Sequence, residues 1–253
     1  MKGLISSLLL FLLAMGISAK AAEQKGPEKK RVLIVLTSHG ELGKTGKPTG
    51  YYLPELSHPL FAMIDAGLKF DIASPKGGKA PMDPKSKDLT DEANKRFVED
   101  AKLTGLVDHT LTLSKVKSKG YSAIFFPGGH GPMWDLVSDP DVDRLTREIY
   151  EAGGTVAAVC HGPAALSNVK LRDGTYLIKG KKVSAFTNEE EKAVKLDTVV
   201  PFLLETKLEE RGATVEKSPE WEPKVVVDGR LVTGQNPKSA TGVGKALVEV
   251  LSK

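Results

Sequence analysis

The sequence of 253 residues contains a single cysteine, Cys160. An intrachain disulfide is therefore excluded, and one free thiol remains. No long basic run is present: 36 Lys and Arg are interleaved with 32 Asp and Glu. That pattern excludes the concentrated positive footprint of a nucleic-acid binder. The glycine-rich stretch Gly128 to Gly131 is not followed by Gly-Lys-Ser/Thr, so it is not a phosphate loop. His39, His58 and His109 lack paired ligand spacing, which argues against a zinc site. There is no internal repeat. The long apolar run, Leu4 to Ile17, is short for a membrane span.

That run has a better reading. Lys2 precedes it and the small residues of Ala19-Lys20-Ala21 follow it. A basic start, a short apolar stretch and an A-x-A site make a secretory signal peptide over residues 1–21, cleaved after Ala21. Residues 22–30 are polar and charged and read as a disordered lead-in. The mature chain is expected to be secreted or periplasmic and unattached to the membrane. Losing Lys2 and Lys20 lowers the net charge from +4 to +2. A free thiol in an oxidising compartment is exposed to damage, so its retention fits a chemical role.

Residues 31–253 read as one α/β domain. Arg31 to Thr37 and Tyr121 to Phe126 are continuous apolar runs, the pattern of strands buried on both faces. Lys69 to Ala73 is a further strand. Leu53, Leu56, Leu60, Phe61 and Ile64 recur at helical spacing between Tyr51 and Gly67. Helices are also predicted over Asp91 to Lys102, Asp139 to Ala152, Pro201 to Gly212 and Asn236 to Leu251. Later strands are predicted at Lys182 to Phe186, Ala213 to Glu216, Lys224 to Val227 and Leu231 to Thr233. Asp228-Gly229 marks a hairpin between the last two. The proline- and glycine-bearing stretch Ser74 to Thr90 reads as a long loop, a lid or rim. Alternating strands and helices predict a doubly wound, mostly parallel sheet with helices on both faces, flavodoxin-like.

The chemistry concentrates at one corner. Val156 to Val159 is apolar without alternation, and the run stops at Cys160, followed by His161, Gly162 and Pro163. A strand that ends in a tight turn and a new helix places Cys160 at a carboxyl strand end, where ligands bind in open α/β sheets. A helix N-terminus there is expected to lower the thiol pKa. Gly128-Gly129-His130-Gly131 follows another strand and can leave backbone N–H groups free for a negative oxygen. Carboxylates stand near further strand ends: Glu55, and Glu189 to Glu191. A thiol nucleophile needs a base, the base needs an acid to fix its tautomer, and an oxyanion needs donors. The bland alternatives are a cysteine acting as a small hydrophobe, an ordinary tight turn and a solvated acidic face. The residues alone leave both readings open.

Six stretches together resemble the ThiJ/PfpI superfamily, related to class I glutamine amidotransferases. They are TGYYLPELSHP (Thr49 to Pro59), ASPKGGKAPMDPKS (Ala73 to Ser86), FFPGGHG (Phe125 to Gly131), AAVCHGPAAL (Ala157 to Leu166), SAFTNEEE (Ser184 to Glu191) and DGRLVTGQNPKSA (Asp228 to Ala240). Within the superfamily the chain is similar to the glyoxalase III and heat-shock chaperone branch. The resemblance implies a strained nucleophile elbow at Cys160, with His161 as its partner. It implies that Glu55 hydrogen-bonds the sulfur and that Glu191 is the triad acid, Glu190 being the other register. Gly129 and the His161 N–H match the oxyanion-stabilising positions, with His130 beside them at the substrate.

The implied activity converts a small 2-oxoaldehyde such as methylglyoxal to a 2-hydroxy acid such as D-lactate, without glutathione. The cysteine would form a hemithioacetal and His161 would move protons between the two carbons. No metal or organic cofactor is implied, and a homodimer is. The alternatives are an envelope holdase chaperone, a protein deglycase, or a cysteine peptidase or amidase. Better-known members are cytosolic, so the signal peptide is a departure.

Overall fold

The computed structural model describes residues 30–253. The signal peptide and nearly all of the lead-in lie outside the described residues. The chain alternates strands and helices from β1 (Arg31–Val35) through α1 (Leu53–Asp65), β2 (Lys69–Ser74), α2 (Glu92–Glu99), α3 (Ala101–Asp108), β3 (Leu111–Thr112) and β4 (Ala123–Phe126). It continues with α4 (Pro140–Glu151), β5 (Thr155–Val159), β6 (Lys182–Val183), α5 (Asn188–Ala193), α6 (Leu204–Glu210), β7 (Thr214–Val215), β8 (Val225–Asp228), β9 (Leu231–Gly234) and α7 (Ala240–Ser252).

Seven strands form one sheet in the order β3-β2-β1-β4-β5-β9-β8. Every pairing is parallel except the β8–β9 hairpin. The predicted doubly wound, mostly parallel architecture is the one found. The strand order reverses between β1 and β4, the crevice where such sheets take their ligands.

The apolar runs have the expected cause. On β1, Leu33 and Val35 join one buried cluster, which includes residues of α4 and the segments after β5. Val32 and Ile34 join the other, under α1 and α7. On β5, Val156 and Ala158 divide from Ala157 and Val159 in the same way. Each strand is covered on both faces, so alternation disappears from the sequence.

Three local expectations change. The helix predicted over Asp91 to Lys102 is two helices. Asp100 leaves helical geometry and its carboxylate caps α3, accepting from the N–H groups of Lys102 and Leu103. The strand predicted at Lys182 to Phe186 shrinks to β6, which pairs with β7 in a separate two-stranded sheet. A short helix, α5, stands where no helix is evident from periodicity, because its six residues are too few to show one.

α1 runs through Pro59 and packs on α7. The approach is close enough that a Cβ at Gly244 would lie 2.6 Å from the Pro59 Cα. Gly244→Val is expected to cost about 1–3 kcal/mol by overpacking, lowering the melting temperature. Lys245→Val, at the neighbouring exposed position, is expected to stay within about 0.5 kcal/mol of the parent. Thermal unfolding of the pair checks the helix contact.

Candidate active site

Cys160 directly follows β5 and has φ 59°, in the left-handed region that non-glycine residues rarely occupy. Two backbone bonds hold it there: its N–H donates to Gly234 O at 2.9 Å, and its carbonyl accepts from Phe186 N–H at 3.0 Å. The strained elbow turns Cys160 and His161 so that neighbours in sequence meet side to side. Sγ lies 3.3 Å from His161 Nδ1. His161 Nε2 lies 2.7 Å from Glu191 Oε2. His161 and Glu191 are almost fully buried.

Glu191 also takes a second imidazole, with His130 Nε2 2.9 Å from its Oε1. The His130 and His161 rings stand 4.1 Å apart, and Phe186 covers the other side of His161 at 4.4 Å. Burial pushes the Glu191 carboxyl up, but the two imidazoles outweigh it and hold the group down at about 2. An ionised carboxylate only accepts, so each Nε2 carries the hydrogen. Nδ1 of a neutral His161 is then an acceptor for the thiol. Burial, helped by neighbouring His130, keeps the His161 pKa low.

Helix capping places the three glutamates differently. Thr187 caps α5, and Glu190 at its third position returns the bond to the Thr187 N–H at 3.1 Å. Glu190 Oε1 further accepts from Trp221 N–H, Gln235 Nε2 and Asn236 Nδ2. It is a fully buried scaffold for the surrounding loops. Glu191 lies one step round the helix and reaches the imidazoles. Thr187-Asn188-Glu189-Glu190 is a capping-box signature, and that signal separates the two registers in the sequence itself. Glu189 faces outward to Lys217.

Glu55 comes from the first turn of α1 and is fully buried. Gly128 N–H donates to its Oε2 at 2.9 Å, and Tyr52 N–H donates to the Gly128 carbonyl at 3.1 Å. The two bonds brace α1 against the glycine turn. Only glycine fits at 128: a Cβ would lie 2.5 Å from Glu55 Oε2 and from Val159 O, and 2.7 Å from His161 N. Burial raises the Glu55 pKa to about 8, against the opposing influence of Cys160. Its Oε1 has no hydrogen-bond partner among the described residues, and the carboxyl is near enough to the thiol to join burial in pushing the Cys160 pKa up. At neutral pH the protonated carboxyl therefore holds a donor ready for a sulfur that gains charge.

The expected acidification of the thiol by a helix N-terminus is not found. The segment after Cys160 is a five-residue 3-10 turn, Gly162–Leu166, instead of an α-helix. Burial, followed by neighbouring Glu55, pushes the Cys160 thiol up, and the Gly129 N–H pulls it back only in part. The resting state pairs a thiol with a neutral imidazole.

These groups open onto a cavity of about 180 Å³, a little larger than an apolar cavity of about 150 Å³ that holds benzene. Gly129, His130, Cys160 and Glu55 line its floor, and Tyr52, Phe186 and Trp221 its walls. Asp83 and Lys85 bring the Ser74–Thr90 loop to its mouth, as a rim. Among the aromatics near the site, Tyr52 and Trp221 line the cavity. Tyr51 is core, and Trp134 stacks on His39 at 5.1 Å. Phe186 and the His130–Glu191 bond have no sequence signal beyond lying in matched stretches. The ligating atoms of His130, His161 and Glu191 lie within 4.8 Å of one another, a spacing that could accept a metal ion. An ion there would have to replace both bonds to Glu191.

The family model for the DJ-1/PfpI family matches residues 49–250. The chain belongs to the DJ-1/PfpI family. Among curated relatives, Glyoxalase 3 of Candida albicans is 30% identical over 234 residues, covering 86% of this chain and 97% of that protein. Glutathione-independent glyoxalase HSP31 of Saccharomyces cerevisiae is 31% identical, covering 88% and 98%. Among solved structures, the Rapid Encystment Protein of Francisella tularensis aligns with a TM-score of 0.85 at 42% identity, covering 88% and 99%. Glyoxalase III of Candida albicans aligns with a TM-score of 0.80 at 28% identity, covering 87% and 97%.

The Glu55 environment sets a pH test. Its folded pKa is raised, so the penalty is absent below about 4.5, where the carboxyl is protonated both folded and unfolded. Stability is then lost as pH climbs through about 8. Glu55→Gln, which keeps an acceptor for Gly128, removes this dependence. Its melting temperature is expected to gain on the parent steadily between pH 5 and pH 8; parallel curves would contradict the raised pKa. A second pair separates the glutamates. Glu190→Ala strands several buried donors at about 1–3 kcal/mol each, and is expected to lower the melting temperature well below that of Glu190→Gln.

Proposed function

We propose that this protein is an enzyme, a glutathione-independent glyoxalase that converts a 2-oxoaldehyde such as methylglyoxal to a 2-hydroxy acid such as D-lactate. The observation that carries the reading is the chain of contacts Cys160–His161–Glu191 opening onto a cavity beside a protonated Glu55. Its support is the near full-length likeness to proteins named as glutathione-independent glyoxalases.

The chemistry needs no external oxidant. The Cys160 thiol loses its proton to His161 Nδ1 as sulfur bonds to the aldehyde carbon, C1. His161 passes the proton to the aldehyde oxygen, giving a hemithioacetal. The Gly129 N–H and the His161 N–H are the donors for that oxygen, and Glu55 steadies the sulfur. The hydrogen on C1 then leaves as a proton, its electron pair forming a C1–C2 double bond and leaving an enediolate with the negative charge on the C2 oxygen. The proton returns to C2 while the C1 hydroxyl proton passes to the C2 oxygen, so that C2 becomes the alcohol carbon and C1 becomes a thioester. Water cleaves the C1–S bond and restores the thiol. C1 is oxidised, C2 is reduced by the same two electrons, and the net reactant added is water.

The reading includes export through the signal peptide and action as a homodimer outside the cytoplasm. Methylglyoxal given to the mature protein without glutathione is expected to yield lactate. Cys160→Ala is expected to fall to the uncatalysed background while keeping its melting temperature, since a buried thiol of this size behaves as a small apolar group. Lactate formed by Cys160→Ala at the parent rate would overturn the mechanism.

A further inference from the structure

His130 holds a position that the triad alone does not need. Its ring lines the cavity that exposes Cys160. Its Nε2 is bound to Glu191 at 2.9 Å, on the oxygen that His161 leaves free. The ionised carboxylate therefore sets the same tautomer on both rings, with the hydrogen on Nε2 and the lone pair on Nδ1. On His161 that lone pair is taken by the thiol at 3.3 Å. On His130 no hydrogen bond occupies Nδ1 among the described residues. The side chain keeps 16% exposure, against 1% for His161.

We propose that His130 is a second catalytic base, which takes the hydrogen from C1 of the Cys160-bound substrate and delivers it to C2, while His161 serves the sulfur. This rests on the glyoxalase reading and divides a labour that the sequence assigns to His161 alone.

The shared carboxylate makes the division workable. Two imidazoles 4.1 Å apart cannot both be cationic on one balancing charge. The steps avoid that state. His161 is charged only while it carries the thiol proton, and it becomes neutral when that proton reaches the aldehyde oxygen. His130 Nδ1 then accepts the C1 proton, and the pair of electrons left behind forms the enediolate. The imidazolium so made lies 2.9 Å from Glu191 Oε1, which balances it. Return of that proton to C2, with passage of the C1 hydroxyl proton to the C2 oxygen, gives the thioester and a neutral His130, and His161 is free to activate the water that opens the thioester. Each imidazole carries one proton at a time, and neither needs to leave the carboxylate.

The test is His130→Gln, whose side-chain amide can still donate to Glu191 but cannot carry a proton. The expected result is a kcat lower by about 10²–10³-fold, with KM changed less than about threefold. Alkylation of Cys160 by iodoacetamide is expected to keep the parent rate and pH profile, because His161 still serves the sulfur. Methylglyoxal deuterated at C1 is expected to show a larger isotope effect on kcat in the variant than in the parent. His130→Ala provides a second arm: added imidazole is expected to restore turnover, the rate rising with its concentration. A parent-like kcat in His130→Gln would overturn the assignment. So would a loss of alkylation that matches the loss of kcat, which would make His130 a support for the triad. Absence of rescue in a folded His130→Ala would also count against it. If the parent itself makes no lactate, the glyoxalase reading fails. If the parent makes lactate and His130→Gln makes it equally well, only the role of His130 fails.

Discussion

A carboxylate with almost no exposure, Glu191, bound to two imidazoles is the constraint on which the site turns. A buried charge is costly unless it is paired and fully bonded. Here two Nε2–H donors meet that demand and are themselves fixed by it. The carboxylate orients the rings, and the rings keep it ionised. It also draws together parts of the chain that are far apart: the turn after β4, the elbow after β5 and the short helix α5. Without the short helix, nothing would bring an acid to that side of His161. Helix capping by Thr187 and Glu190 thus becomes part of the chemistry, although neither side chain need touch a substrate.

The elbow gives the second dependence. A cysteine and a histidine adjacent in a regular strand would point to opposite faces. The left-handed backbone at Cys160 breaks that alternation and lets Sγ and Nδ1 meet. Its strain is opposed by hydrogen bonds from two distant segments, Gly234 and Phe186. The braced glycine at 128 brings Glu55 up from beneath. The result is a thiol held protonated at rest, beside an acid that also holds its proton.

Much of this was legible in the sequence, for physical reasons that differ by element. β1, β4 and β5 announced themselves because double-sided burial leaves nothing polar in a strand. The hairpin between β8 and β9 was legible from Asp228-Gly229. The break at Asp100 was not foreseen, although an acid followed by a new apolar run is a capping signal. The three glutamates were ambiguous by composition and became distinct only through the cap. The thiol pKa was misread because the corner promised a helix and delivered one tight turn, and burial won. The bond from His130 to Glu191 links residues 61 positions apart and leaves no periodic trace, so no local pattern could reveal it.

The walls of the cavity are built from different parts of the chain than its floor. The reacting groups sit on strand ends and a helix start that the sheet holds in place. Leu42, Lys85, Val194 and Trp221 reach the opening from separate connecting segments. The two sets of residues can therefore drift independently. The outline of the opening can be reshaped at those four positions while the thiol, the imidazoles and their acids stay untouched.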